Sequence, residues 1–208
     1  MLRGVYTYNF IFLIGESGMK AYIPNALSLF RMFAWIPIIA VTLAGYPFYA
    51  LVLYGAAAIT DWLDGYLARK WKVTSPFGQK VDQEADKVLV LALLIFASLY
   101  IGFYTESLAG SFWVAIAAAI FFARDYAVNS MRAWLRLKEL PPLPSSHIAK
   151  AKTTVQMISV GCWFTSLVWL GVSFLFWVTL LVAVGMTLYT LWDYHLQYQN
   201  ARAAYEAK

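Results

Sequence analysis

The chain has 208 residues, of which 62% are apolar and 18% aromatic, while only 13% are charged; a soluble globular domain carries about 25% charged residues. That balance excludes an ordinary soluble enzyme and a disordered chain alike, because it leaves more apolar surface than water tolerates. The net charge of +5 is dispersed between apolar runs instead of forming a stripe with interleaved aromatics, so no nucleic-acid partner is expected and anionic lipid or phosphate is.

In chain order, residues 1–22 contain the short apolar stretch Val5 to Ile14, followed by Gly15-Glu16-Ser17-Gly18 without a small-residue cleavage site. This reads as an N-terminal interfacial segment, not a signal peptide. Six long apolar runs follow, at Ala26 to Ala44, Tyr49 to Leu67, Lys87 to Phe103, Ser111 to Leu135, Ala151 to Gly171 and Phe174 to Leu196. Six spans of about 21 residues take roughly 126 positions, leaving only short loops and ends. The fold class expected is an all-α integral membrane protein, with a six-helix domain over 23–200 and a cytoplasmic tail over 201–208. Strict apolar–polar alternation, which a barrel strand requires, does not occur over ten residues.

The connections at Gly45-Tyr46-Pro47 and Val172-Ser173 carry no charge, and Gly102 to Gly110 carries only Glu106. All sixteen basic residues fall toward the other side, so the positive-inside rule puts both termini and the polar chemistry at the cytoplasmic face of the cell inner membrane. The fourth run, from Gly110 to Lys138, is about 43 Å long as a helix and outreaches a 30 Å hydrocarbon core, so its Arg-rich end should protrude. Pro141-Pro142-Leu143-Pro144 then stops it, and Ser145-Ser146 is a start for the next helix. The single cysteine, Cys162, permits no intrachain disulfide and reads as a small apolar side chain.

The chemistry is concentrated in Asp61-Trp62-Leu63-Asp64-Gly65-Tyr66-Leu67-Ala68-Arg69 and the later Gly78, Asp82 and Asp86. Asp61 and Asp64 stand three apart near the end of the second run, Asp82 and Asp86 four apart before the third, so each pair shares a helix face. A short connection brings the two pairs together. Four ionised carboxylates need cations, and hard oxygen ligands select Mg²⁺, Mn²⁺ or Ca²⁺, most economically as a two-metal site. Gly65, Ala68 and Gly78 leave room for a bulky ligand such as a nucleotide pyrophosphate, with Arg69 and Lys80 offsetting its charge. The plainer alternative is pairing of these acids with Lys70, Lys72 or Lys87. Asn25 is equally a helix cap or a nucleotide contact.

A second cluster comprises Arg124, Arg132, Lys150 and Lys152, with Thr153 and Gln156 following. These cations exceed what the acids need and suggest an anionic, phosphorylated acceptor alcohol, the alternative being contact with lipid headgroups. Arg124 follows Ile120-Phe121-Phe122-Ala123, where an unpaired charge is costly, and Asp125 is a ready partner. Acids within membrane helices also mark ion pathways, but the third to fifth runs hold none at mid-depth, which disfavours a divalent-cation transporter.

The complete spacing D-x2-D-G-x2-A-R-x8-G-x3-D-x3-D from Asp61 to Asp86 resembles the signature of the CDP-alcohol phosphatidyltransferase family. The resemblance implies six transmembrane helices, a homodimer, and transfer of a phosphatidyl group from a CDP-linked donor to an alcohol with release of CMP. It further implies that Asp61, Asp64, Asp82 and Asp86 hold two divalent ions, Mg²⁺ or Mn²⁺, that Asp86 is also the base, and that Asp61, Gly65, Ala68, Arg69 and Gly78 line the CDP site together with Asn25. Arg124-Asp125, Ser130, Arg132 and Ala149 to Gln156 are similar to the branch of that family acting on CDP-diacylglycerol and glycerol 3-phosphate, as is Ile23 to Ser28 with Arg31. That similarity implies that Arg124, Arg132, Lys150 and Lys152 bind the acceptor phosphate. The chain departs from the branch at Ser28, Gln83-Glu84, Asp125 and Ala149, where Thr, Pro-Val, Glu and Gly are usual. Within the family, inositol phosphate, serine and phosphatidylglycerol are the alternative acceptors.

Overall fold

The structure, a computed structural model, describes residues 26–71, 76–141, 143–144 and 147–206. Side chains at 62, 64, 65, 67–69, 71, 76–80, 82, 83, 147 and 150 lie outside that description, as does the expected interfacial segment 1–22. The described residues are mostly helical, without strands. Among the described residues, four stretches are long and apolar enough to cross a membrane: Ala26–Leu43, Glu84–Tyr104, Leu108–Leu137 and Leu170–Glu206. The chain divides into two compact units, one ending at Leu89 and the other starting at Val90.

In the first unit, the opening run forms two helices, α1 (residues 26–33) and α2 (Trp35–Leu43), with a break at Ala34. Pro37 explains the break, since it has no N–H to return to the Phe33 carbonyl and its ring crowds that oxygen. The backbone tightens there, and the Ala34 N–H donates to the Arg31 carbonyl at 3.1 Å. Arg31 is thereby held in the last turn before the bend. α2 ends at Gly45, whose φ of +86° is open to glycine without cost. Its N–H donates to Thr42 and that of Tyr46 to Val41, closing the helix end. Pro47 then opens α3 (Pro47–Trp71), a first position where its missing donor does no harm. Ala34, Ile38 and Thr42 bury one stripe, and Ala50, Tyr54 and Ala57 of α3 are buried as well. The alanines, seven apart, allow helix backbones to approach closely. α4 (Pro76–Tyr104) begins in this unit and continues into the next.

The second unit adds α5 (Leu108–Leu137), α6 (His147–Val168), a 3-10 turn at Leu170–Val172, and α7 (Ser173–Glu206). A tight hairpin joins α4 to α5. Ser107 caps α5 by accepting from the Gly110 N–H, and Ser98 donates to the Ser111 carbonyl at 2.8 Å. A Cβ at Gly110 would lie 2.9 Å from Ser107 Oγ and 3.1 Å from Ile101 Cγ2, so a larger residue there would push on the capping hydroxyl. α5 spans 30 residues, about 45 Å at 1.5 Å per residue. It closes with the Leu140 N–H on the Leu135 carbonyl, and Glu139 in the left-handed region, before Pro141. Phe96 and Tyr100 of α4 meet Trp163 of α6 edge-on, which ties these helices into one core.

α7 stays helical through residues 201–206, within the segment expected as the tail. Trp134 of α5 packs edge-on against Tyr198 and Tyr205, with centroids 5.4 and 6.1 Å away, and Lys138 lies over the Tyr205 ring. These contacts give the polar end of α7 an apolar support that periodicity alone did not reveal. Val128, Leu135, Leu143 and Tyr194 form the buried cluster beneath them.

Candidate active site

In the first unit, the site is built on Arg31 of α1. Its side chain is fully buried, and burying an unpaired charge at membrane depth is prohibitive. The structure answers that cost with two carboxylates: Arg31 Nη1 donates to Asp61 Oδ1 of α3 and, at 2.8 Å, to Asp86 Oδ1 of α4. Asp61 remains one-third exposed and Asp86 16% exposed, so both acids keep a face open to a ligand. Of the alternative partners, Lys87 pairs with Glu84 at 2.9 Å and Lys70 sits over the Tyr66 ring, while Lys72 lies outside the described residues.

Asp64, Gly65, Ala68 and Arg69 occupy α3, and Gly78 and Asp82 occupy α4, but their side chains lie outside the described residues, as does Asn25 altogether. Among the described residues, no group of three metal-ligating side chains forms. The described pair nonetheless fits a divalent ion. Carboxylate oxygens from two different helices converge on one positively charged nitrogen, and hard anionic oxygens are the donors that Mg²⁺-like ions take. Arg31 itself was not singled out as a site residue by sequence reasoning. The signal was present, because an arginine inside the run Ala26 to Ala44 is an ionisable group in a membrane span.

In the second unit, Asp125 of α5 is the organising anion. Its Oδ1 accepts from Arg124 Nη1 and from Lys152 Nζ of α6, each at 2.9 Å. Arg124 is 8% and Lys152 2% exposed, so both charges are nearly removed from water. Arg132, two turns along α5 from Arg124, is half-buried and donates from Nη2 to Tyr194 Oη of α7 at 3.1 Å. Among the described side chains here, Arg124 and Lys152 share one carboxylate, and Arg132 adds a third positive charge that is turned to Tyr194. Arg124 moreover keeps Nε and Nη2 buried with no hydrogen-bond partner. Such donors cost about 1–3 kcal/mol each when left unsatisfied, more on a charged group.

An excess of buried cations with unused guanidinium donors is suited to a dianion such as a phosphate ester, which a guanidinium edge can bind through two parallel N–H bonds. Lys150 is on α6, but its side chain lies outside the described residues. Gln156 is buried and donates to Thr187 Oγ1 at 3.2 Å, so it joins α6 to α7. Ser130 turns back to the Tyr126 carbonyl, and Arg136 and Lys138 are exposed. Tyr194 is a participant that sequence reasoning missed, since a tyrosine among the aromatics of the last helix carries no distinguishing pattern.

Comparison with known proteins gives consistent matches. The family model described as CDP-alcohol phosphatidyltransferase matches residues 21–189. A curated relative from Haemophilus influenzae, named CDP-diacylglycerol--glycerol-3-phosphate 3-phosphatidyltransferase, is 36% identical over 148 residues, covering 69% of this chain and 75% of its own. Proteins of the same name from Shigella flexneri serotype 5b and Escherichia coli K12 are each 32% identical, over 191 and 196 residues, covering 89% of this chain and 97% of theirs.

Proposed function

The chain belongs to the CDP-alcohol phosphatidyltransferase family, and from that membership we propose that it transfers the phosphatidyl group of CDP-diacylglycerol to sn-glycerol 3-phosphate, giving phosphatidylglycerophosphate and CMP in phospholipid biosynthesis. The observation that carries the choice of acceptor is Arg124, a buried guanidinium with Nε and Nη2 unengaged beside two further cations and one carboxylate. The names of the relatives support the same acceptor.

The hydroxyl of the acceptor attacks the phosphorus that carries the diacylglycerol. A new P–O bond forms, the pyrophosphate P–O bond breaks, and the electron pair leaves with CMP. Asp86 takes the proton from the attacking hydroxyl, within the range of about 10² to 10⁴ in rate that general bases supply. Arg31 holds Asp86 and Asp61 in place through its shared Nη1. Asp61, Asp64, Asp82 and Asp86 would hold two divalent ions, Mg²⁺ or Mn²⁺, which when bound neutralise the donor's pyrophosphate and the charge developing on CMP. Asn25, Gly65, Ala68, Arg69 and Gly78 accommodate the CDP moiety. Arg124, Arg132, Lys150 and Lys152 fix the acceptor phosphate, so positioning provides much of the catalysis.

This reading includes six membrane spans with both termini cytoplasmic, an active face toward the cytoplasm of the inner membrane, and a homodimer. The spans and their orientation are supported by the charge-poor connections on one side and the basic residues on the other. The test is CMP release by purified protein in detergent with CDP-diacylglycerol and Mg²⁺ or Mn²⁺, offering glycerol 3-phosphate, inositol phosphate, serine or phosphatidylglycerol in turn. Metal-dependent release with glycerol 3-phosphate, lost in Asp86→Asn, is expected. Release with a different alcohol overturns the acceptor, and no metal-dependent release with any of them overturns the reaction.

A further inference from the structure

Arg124 and Arg132 lie eight residues apart on α5, about 12 Å along its axis at 1.5 Å per residue. Both guanidiniums nevertheless reach the same ring: their central carbons lie 5.2 and 5.3 Å from the centroid of Tyr194. Two like charges drawn to one point repel, and Asp125 offsets only Arg124 and Lys152. The tyrosine supplies the missing attraction in two ways. Its π face is negative and holds a cation, more strongly where water is excluded. Its hydroxyl oxygen accepts from Arg132 Nη2 at 3.1 Å.

The ring itself has little freedom. Tyr194 is 1% exposed and packs in the cluster of Val128, Leu135 and Leu143, while the Trp134 contacts to Tyr198 and Tyr205 clamp the ends of α5 and α7 just beyond it. A fixed ring thus fixes two otherwise long and rotamer-rich side chains. With Nη1 of Arg124 already committed to Asp125, the orientation imposed by the ring decides where the unengaged Nε and Nη2 edge points.

We propose that Tyr194 is a positioning residue for acceptor recognition: it gathers Arg124 and Arg132 on one buried ring and preorganises them for the phosphate of the acceptor. This rests on the functional reading above for the identity of the acceptor, but not for the binding of a phosphate group. The role differs from simple packing because it divides into two separable parts, the hydroxyl acting on Arg132 alone and the ring acting on both arginines.

The experiment compares the wild-type chain, Tyr194→Phe and Tyr194→Leu in detergent, with KM and kcat measured for both substrates and with thermal stabilisation by inorganic phosphate as an activity-independent readout. Tyr194→Phe keeps the ring and loses one hydrogen bond, so KM for glycerol 3-phosphate should rise about three- to ten-fold. Tyr194→Leu also loses both cation–ring contacts and should raise it about thirty-fold or more. KM for CDP-diacylglycerol should stay unchanged in both, and the phosphate concentration for half-maximal stabilisation should rise in the same order. A fall in kcat alone, equal changes in KM for both substrates, or undiminished phosphate stabilisation in Tyr194→Leu would overturn the proposal. If the wild type uses a different phosphorylated acceptor, the functional reading fails while the phosphate readout still decides the role of Tyr194; if phosphate stabilises no form of the chain, the proposal fails as well.

Discussion

Asp125 offers the sharpest test of how the second cluster is held together. Its Oδ1 accepts from Arg124 Nη1 and Lys152 Nζ, both at 2.9 Å, and the three side chains are 19%, 9% and 3% exposed respectively. Asp125→Asn keeps an oxygen in place but removes the only negative charge that the described ion pairs of this cluster contain. At an effective dielectric of about 20, a charge–charge contact of this length is worth roughly 6 kcal/mol before desolvation is subtracted. Removing one partner from a buried pair leaves an uncompensated charge and costs about 3–5 kcal/mol net. For a chain of this size each kcal/mol lowers the melting temperature by about 2–4 °C, so a drop of roughly 6–12 °C is expected at the low end of that cost. Lys152→Met should cost a similar amount, because it strips Asp125 of a partner from the neighbouring helix. The double variant should lose less than the sum of the two by about 2 kcal/mol, as interacting pairs do. Thermal unfolding in detergent measures all four corners of the cycle. Strict additivity, or an Asp125→Asn loss below about 0.5 kcal/mol, would refute the assignment of Asp125 as the organising anion.

Two further outcomes follow from the same geometry. Arg31→Ala leaves Asp61 and Asp86 without the buried cation between them, so the protein in EDTA should lose about 3–5 kcal/mol of stability, and added Mg²⁺ or Mn²⁺ should restore a larger share of the melting temperature than in the wild type. A variant whose stability is unchanged in EDTA would show that Arg31 is not their counter-charge. Arg124→Lys retains the charge but loses the planar edge formed by Nε and Nη2, so KM for glycerol 3-phosphate should rise about ten-fold or more with kcat and KM for CDP-diacylglycerol little changed; an unaltered KM would remove Arg124 from acceptor binding.

Much of the helical organisation was legible in the chain, because apolar length and charge-free connections are one-dimensional properties. Each of the six apolar runs falls largely on helix, the first split in two at Ala34 and the fifth giving way to a 3-10 turn, and Pro141 does follow the end of the 30-residue α5. The break at Ala34 was not anticipated, although Pro37 states its cause, since the run is uniformly apolar on both sides. The last helix outran its expected limit at Leu196 because its polar end is supported by Trp134, a residue far away in sequence. Among the basic residues, the sequence placed Arg124, Arg132 and Lys152 in one cluster but could not apportion them. The structure binds Lys152 and Arg124 to a shared Asp125 oxygen and turns Arg132 to Tyr194.

What the sequence determined by itself is the chemistry available: apolar runs suited to lipid, four acids at helical spacings, and basic residues that exceed them. Spacing along a helix is enough for this, because positions three and four apart share a face whatever surrounds them. What the tertiary structure decided is who meets whom across helices. Arg31 reaches Asp61 and Asp86 over separations of 30 and 55 residues, and Tyr194 receives Arg132 over 62. Such partners are set by the packing of helices and the cost of leaving a buried charge alone, neither of which has a period in the sequence.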